Sequence, residues 1–99
     1  VLVNLNPSVG SEIQKTRPCV IISPDEMNKY LRTVVVAPMT TRMKRYPTRV
    51  AVKHGSKKGM IAIDQIRTID KSRIVRVFEK LSITEIKRCK EVIRETFVD

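Results

Sequence analysis

The chain has 99 residues, 41% of them hydrophobic and 30% charged, with a formal net charge of +10 at pH 7 and a sequence pI of about 10.1. That length supports one modest core, burying roughly 60–65% of the unfolded surface, and excludes two. No apolar run approaches the ~18–20 residues that span a bilayer, and no signal peptide, repeat or low-complexity tract is visible, so a membrane role is not expected.

Val1–Leu5 reads as a short strand. It already looks like the middle of one, so a few native N-terminal residues are expected to be missing. Residues 6–16 form a loop punctuated by Pro7 and Gly10. Arg17–Ser23 is a second strand, with Pro18 tolerated near its start because a first position need not donate to a ladder. Residues 24–30 read as one or two helical turns. Ser23 is the expected N-cap, Pro24 the first helical residue, and Asp25 and Glu26 complement the helix dipole.

The run from Thr33 to Thr41 begins as consecutive β-branched residues without alternation, the pattern of a strand buried on both faces. Pairing is expected to falter at Pro38, which leaves Met39, Thr40 and Thr41 at a strand end where side chains can meet a ligand. The cationic loop Arg42-Met-Lys-Arg45 follows. Thr48–Lys53 alternates like a half-exposed strand, His54–Gly59 is a turn, and Met60–Ile69 is a longer strand bent near Asp64. After a turn at Asp70–Arg73, Ile74–Lys80 is a further strand. Ser82-Ile-Thr-Glu85 matches a capping box and opens a C-terminal helix near 83–97, with Ile86, Cys89, Ile93 and Phe97 expected on its core face. Short strands linked by turns with one helix at the end predict a mainly β, α+β fold, a small and strongly bent antiparallel sheet or barrel.

The charge is one-sided. Residues 1–58 hold 11 Lys/Arg against 3 Asp/Glu, and residues 59–99 hold 9 against 7. Arg42, Lys44, Arg45, Arg49, Lys53, Lys57 and Lys58 follow one another with no acid between them, a patch suited to a polyanion such as nucleic acid. The two cysteines, Cys19 and Cys89, lie far apart outside any CxxC pattern and read as small buried hydrophobes in a reducing cytoplasm.

No spacing suggests a metal site, and no GxGxxG, Walker or GxSxG element is present, so no metal and no cofactor is expected. What remains is arginine, threonine and carboxylate chemistry. RNA can be cleaved without metal because its 2′-OH is an internal nucleophile. An arginine fork and threonine hydroxyls can bind the phosphate oxygens. Arg17 at a strand start and Thr40 and Thr41 at a strand end are the candidates, and Tyr46 in the basic loop is the candidate base contact.

Four segments together resemble the MazF/PemK (Kid-type) family of ribonuclease toxins from type II toxin–antitoxin pairs: Leu5-Asn-Pro-Ser-Val-Gly-Ser-Glu12, Thr16-Arg-Pro-Cys-Val-Ile-Ile22, Val36-Ala-Pro-Met-Thr-Thr41 and Asp64-Gln-Ile-Arg-Thr-Ile-Asp70. The resemblance runs through residues 1–99 as one toxin domain. It implies an SH3-like barrel of five to seven strands with a C-terminal helix, acting as a homodimer in the cytoplasm. It implies metal-independent, sequence-selective cleavage of single-stranded RNA, mostly messenger RNA, to a 2′,3′-cyclic phosphate and a 5′-hydroxyl. An acidic antitoxin protein would fold across the RNA groove and block it.

Residue by residue, the resemblance makes Arg17 the phosphate binder and general acid, puts Thr40 and Thr41 on the scissile phosphate, and makes Asp64 a base. Ser11, Glu12, Arg42, Lys44, Arg45 and Tyr46 would join the RNA surface. Two positions depart from the family pattern: Ala62 stands where some members have Arg, and Ser11 where some have His. These favour a site built on arginine and threonine, with Asp64 either the base or an anchor for the bend. The alternative is a non-catalytic basic barrel that binds nucleic acid or inhibits a topoisomerase as the related CcdB-type fold does.

Overall fold

The computed structural model describes residues 1–5, 16–54 and 57–98. Its strands are β1 (Leu2–Asn4), β2 (Thr16–Ile21), β3 (Thr33–Thr40), β4 (Arg49–His54), β5 (Lys57–Ala62), β6 (Arg67–Asp70) and β7 (Ile74–Arg76), with helices α1 (Asp25–Tyr30) and α2 (Ile83–Phe97). The pairings are antiparallel. They give one seven-stranded sheet in the order β4-β5-β3-β2-β1-β7, with β6 also on β3. Among the described residues the sheet does not close into the barrel expected from the sequence, because β4 and β7 end the path unpaired with each other.

Strand β3 is the hub, and Pro38 explains how it serves three partners. Val35 accepts from the N–H of Ile22 and donates its own N–H to Ser23 Oγ, so Val35 faces the β2 edge. Alternation then turns Pro38 to the opposite edge. There β6 pairs with Thr33–Val36 and β5 takes over at Met39 and Thr40. The residue without an N–H sits where the partner changes. Contrary to expectation, the strand continues through Pro38, which is buried.

The alternation also splits the interior in two. Ala37 joins Val50, Val52, Ile61 and Ile63 of the sheet and Cys89 and Val92 of α2 in one cluster. Val34 and Val36 point the other way, into a cluster with Val3, Leu5, Cys19 and Ile69. The unbroken valine run thus reports burial on both faces, as the sequence suggested.

Local signals fared unevenly. The capping box is present: Ser82 Oγ accepts from Glu85 N–H at 3.1 Å and Glu85 Oε1 accepts from Ser82 N–H at 3.0 Å. Glu85 Oε2 also accepts from Lys53 N–H at 3.1 Å, so the same carboxylate covers the edge strand β4. That bond turns the Glu85–Cys89–Val92 side of α2 toward the sheet. Cys89 and Val92 are buried and Ile93 packs beside them, while Ile86 and Phe97, expected inside, are exposed. Ser23 does not cap α1, whose N-cap is Pro24. Its hydroxyl instead joins Asn28 Oδ1 and Val35 N–H, tying α1 to β3. The expected strand over Ile74–Lys80 stops at Arg76, and the turn expected over residues 54–59 is shorter, since His54 pairs with Lys57. The bend near Asp64 is a 3-10 turn at Ile63–Gln65 between β5 and β6.

Both cysteines are free and buried. Desolvation pushes each thiol up to about 11 from the ordinary 9.0. A folded-state pKa raised above the unfolded one means stability that is whole below pH 9 and is lost as pH rises through 11. Each thiol should contribute roughly 2–3 kcal/mol to that loss. Urea melts from pH 8 to pH 11 are expected to fall more steeply for the natural sequence than for a Cys19→Ala/Cys89→Ala variant.

Candidate active site

Arg17 lies on β2 and Thr40 ends β3. The register between these strands pairs Cys19 with Pro38, Val20 with Ala37 and Ile21 with Val36. Continued by two residues, it sets Arg17 opposite Thr40 with both side chains on one face, because cross-strand partners point the same way. On its other edge Thr40 pairs with Met60 of β5, and Met60 pairs with Ala51 of β4. Arg17, Thr40, Met60 and Ala51 thus form one row across four strands.

Thr40 is 8% exposed. Its hydroxyl accepts the Arg42 N–H at 3.2 Å, a local turn that leaves the hydroxyl's own hydrogen free to be aimed elsewhere. Thr41 next to it is exposed. Gly59 lets β5 approach this point closely: a Cβ there would lie 3.2 Å from the Thr40 carbonyl oxygen, which is backbone and cannot swing aside. Gly59→Ala is therefore expected to shift Thr40 by a few tenths of an ångström. Cleavage assays should show at least a tenfold lower kcat, since sub-ångström misplacement of a phosphate-binding group is costly, while thermal melting stays within a few degrees.

Arg42, Lys44, Arg45 and Tyr46 are all exposed, on the segment between β3 and β4. Tyr46 is fixed at its backbone by a four-residue turn, in which its carbonyl accepts Arg49 N–H at 3.0 Å and Pro47 takes the position where φ is preset. Two cations face its ring, Lys44 at 5.9 Å and Arg49 at 5.5 Å from the centroid. The ring borders an open groove of about 520 Å³, whose walls include Met43, Arg45, Arg49, Met60 and Arg88. Met60 is the neighbour of Thr40 in the row above, so the groove comes within one strand of Thr40.

Asp64 is placed differently. Thr48 Oγ1 donates to its Oδ1 at 3.1 Å, Arg49 Nε to Oδ1 at 2.9 Å and Arg49 Nη2 to Oδ2 at 3.4 Å, so both carboxylate oxygens are engaged. From Met60, the partner of Thr40, the chain runs two residues of strand and then into the 3-10 turn that holds Asp64, roughly 10 Å along the backbone. Continuing the β2–β3 register faces Arg17 to Thr40, next to Thr41 and the start of the basic loop, whereas Asp64 is off the groove lining and tied to Thr48 and Arg49. Ser11 and Glu12 lie outside the described residues, as does the side chain of His54.

The sequence reading missed three residues. Arg49 was counted as one charge among seven. Its particular role needs the β4–β5 register, which sets it opposite Ala62 and beside Asp64. Arg88 reaches the groove from α2, and Met60 forms its floor, and neither carries a local signal. Among the described residues no group of three or more His, Cys, Asp or Glu could hold a metal ion. None of their helices is long and apolar enough to cross a membrane.

Comparison with known proteins bears on the family and the fold. Residues 1–97 match the family described as PemK-like, MazF-like toxin of type II toxin–antitoxin system. Endoribonuclease MazF of Staphylococcus saprophyticus is 41% identical over 97 residues, covering 92% of this chain and 78% of the relative. Among solved structures, MazF from Deinococcus radiodurans superposes with a TM-score of 0.83 at 23% identity, over 95% of this chain and 87% of that one. The Mycobacterium tuberculosis toxin MazF-mt6 gives a TM-score of 0.77 at 25% identity, over 87% and 90%. A MazE–MazF complex from Deinococcus radiodurans gives 0.78 at 20% identity, over 98% and 88%. On a match that runs from the first residue to the end of α2, the chain belongs to the PemK/MazF family of type II toxin–antitoxin toxins.

Proposed function

We propose that this protein is an endoribonuclease toxin, a single domain over residues 1–99, that cleaves single-stranded messenger RNA in the cytoplasm without a metal ion or cofactor. What supports the reading is the β2–β3 register, which pairs Cys19 with Pro38 and, carried on by two residues, faces Arg17 to Thr40, with a cationic groove one strand away at Met60. The Arg17 guanidinium grips the non-bridging oxygens of the scissile phosphate and holds the charge that builds on them. Thr40 and Thr41 donate hydroxyl hydrogens to the same group. The 2′-OH gives its proton to a solvent water and attacks phosphorus, so the O2′–P bond forms and the P–O5′ bond breaks. The departing 5′ oxygen takes up a proton delivered through Arg17, because an alkoxide is the stronger base. The products are a 2′,3′-cyclic phosphate and a 5′-hydroxyl.

The exposed cations Arg42, Lys44 and Arg45 hold neighbouring phosphates, which makes binding salt-dependent. An acidic antitoxin complements the same surface and competes for it. Homologues have been solved in complex with a cognate antitoxin. The protein acts as a homodimer, as the family resemblance implies. Incubation with mixed-sequence RNA in EDTA tests the reading. Fragments carrying cyclic phosphates by mass spectrometry are expected, and RNA left intact in every sequence context would overturn it.

A further inference from the structure

We propose that Asp64 is a positioning residue: through Arg49 it holds Tyr46 as a stacking platform for an unpaired base of the substrate RNA, in the groove beside Thr40. The inference rests on the ribonuclease reading above and names a subsite for it.

Four observations converge. The Asp64 carboxylate takes two hydrogen bonds from Arg49 and one from Thr48, and the Arg49 side chain is 10% exposed against 34% for Asp64. A carboxylate engaged on both oxygens by a guanidinium fork is a good anchor. The anchored guanidinium lies 5.5 Å from the Tyr46 ring centroid, and the Tyr46–Arg49 turn fixes the same ring from its backbone. Tyr46 is nonetheless 49% exposed and lines the groove. The groove combines apolar Met43 and Met60 with cationic Arg45 and Arg88.

A flat π-face over an apolar floor with cations at the rim matches the chemistry of a nucleotide: a ring to stack and a phosphate to pair. Arg49 also makes the ring a better platform. Its guanidinium is anchored 5.5 Å from the ring centroid, whereas Lys44, the other cation at 5.9 Å, is exposed and can give way to a base. Asp64 has no such contact with the ring. Its role passes through Arg49, whose fork it holds in one orientation and whose charge it partly neutralises, so that Arg49 stays beneath the ring rather than reaching for RNA phosphate.

The test uses two single-stranded probes of equal length, a mixed-sequence deoxyoligonucleotide and a fully abasic one. Neither carries the 2′-OH needed for cleavage. The natural sequence is expected to bind the base-bearing probe about tenfold more tightly. In a Tyr30→Phe background, which leaves Tyr46 as the one tyrosine, that probe should quench the fluorescence and the abasic one should not. Tyr46→Phe should keep the preference, because the ring remains. Tyr46→Ala, Arg49→Met and Asp64→Asn should lose most of it. With mixed-sequence RNA, Asp64→Asn should raise KM about tenfold and leave kcat within about twofold.

A preference for the base-bearing probe that survives in Tyr46→Ala would overturn the proposal. So would an Asp64→Asn variant whose kcat falls a hundredfold or more at unchanged KM, the signature of a lost general base. Tyr46 is at the surface, so its variants fold even if Asp64→Asn does not. Uncut RNA together with an intact Tyr46-dependent preference would refute the ribonuclease reading and leave the stacking platform standing.

Discussion

Arg17→Ala is expected to lower kcat/KM for RNA cleavage by about 10²–10³-fold, the loss that follows removal of one preorganised donor to a developing oxyanion. The chain should stay folded. Arg17 is half-buried on β2, and its neighbours Thr16 and Pro18 are exposed, so its removal leaves no apolar cavity. Arg17→Lys should recover little, because an ammonium keeps the charge and loses the two-pronged geometry that fits a phosphate. Thr40→Val should cost less, on the order of 10-fold to 10²-fold, since Thr41 stands beside it. Rates on a mixed-sequence RNA, with circular dichroism as the folding check, decide the matter. Full activity in Arg17→Ala would move the reaction elsewhere on the surface.

Ile61→Ala should have the largest effect on stability. Ile61 is 0% exposed and lies at the middle of the cluster between sheet and α2, where the ladders set it between Met39 and Val50. Removing three carbons there loses their transfer energy and leaves a void that flanking strands cannot fill, at a cost of about 2–5 kcal/mol. A domain of this size has roughly 5–15 kcal/mol in total. With a urea slope of about 1–2 kcal/mol per molar, the midpoint should drop by on the order of 2 M. Ile63→Ala, in the adjoining 3-10 turn, should behave alike, whereas Ile83→Ala should be near neutral because Ile83 is 86% exposed.

What the sequence conveyed depended on how local the determining interaction was. The capping box of α2 is written in Ser82 and Glu85 alone, and it formed as read. The buried face of that helix is not local. Glu85 also reaches Lys53 on β4, and this contact selects Cys89 and Val92 over Ile86 and Phe97. Pro38 looked like a stop signal because a proline cannot complete a ladder. Its place at the β6-to-β5 changeover depends on which strands meet there, which composition does not encode.

The site followed the same division. Arg17 and Thr40 were candidates by their chemistry and strand positions, and family resemblance gave them roles, but the sequence by itself held no sign that they share a row. That follows from the pairing of Cys19 with Pro38. Arg49 looked like surface charge until the turn at Pro47 and the ladder to β5 carried it beneath Tyr46 and against Asp64. A basic residue alternating with valines does not advertise its acceptor fifteen residues away.

The sheet joins Leu2 to Arg76 and Val3 to Ile74, and its larger interior waits for Cys89 and Val92. A chain growing from its N-terminus therefore carries an unfinished blade: β1 lacks its second neighbour until β7 has emerged, and the face that Cys89 and Val92 cover stays open longer still.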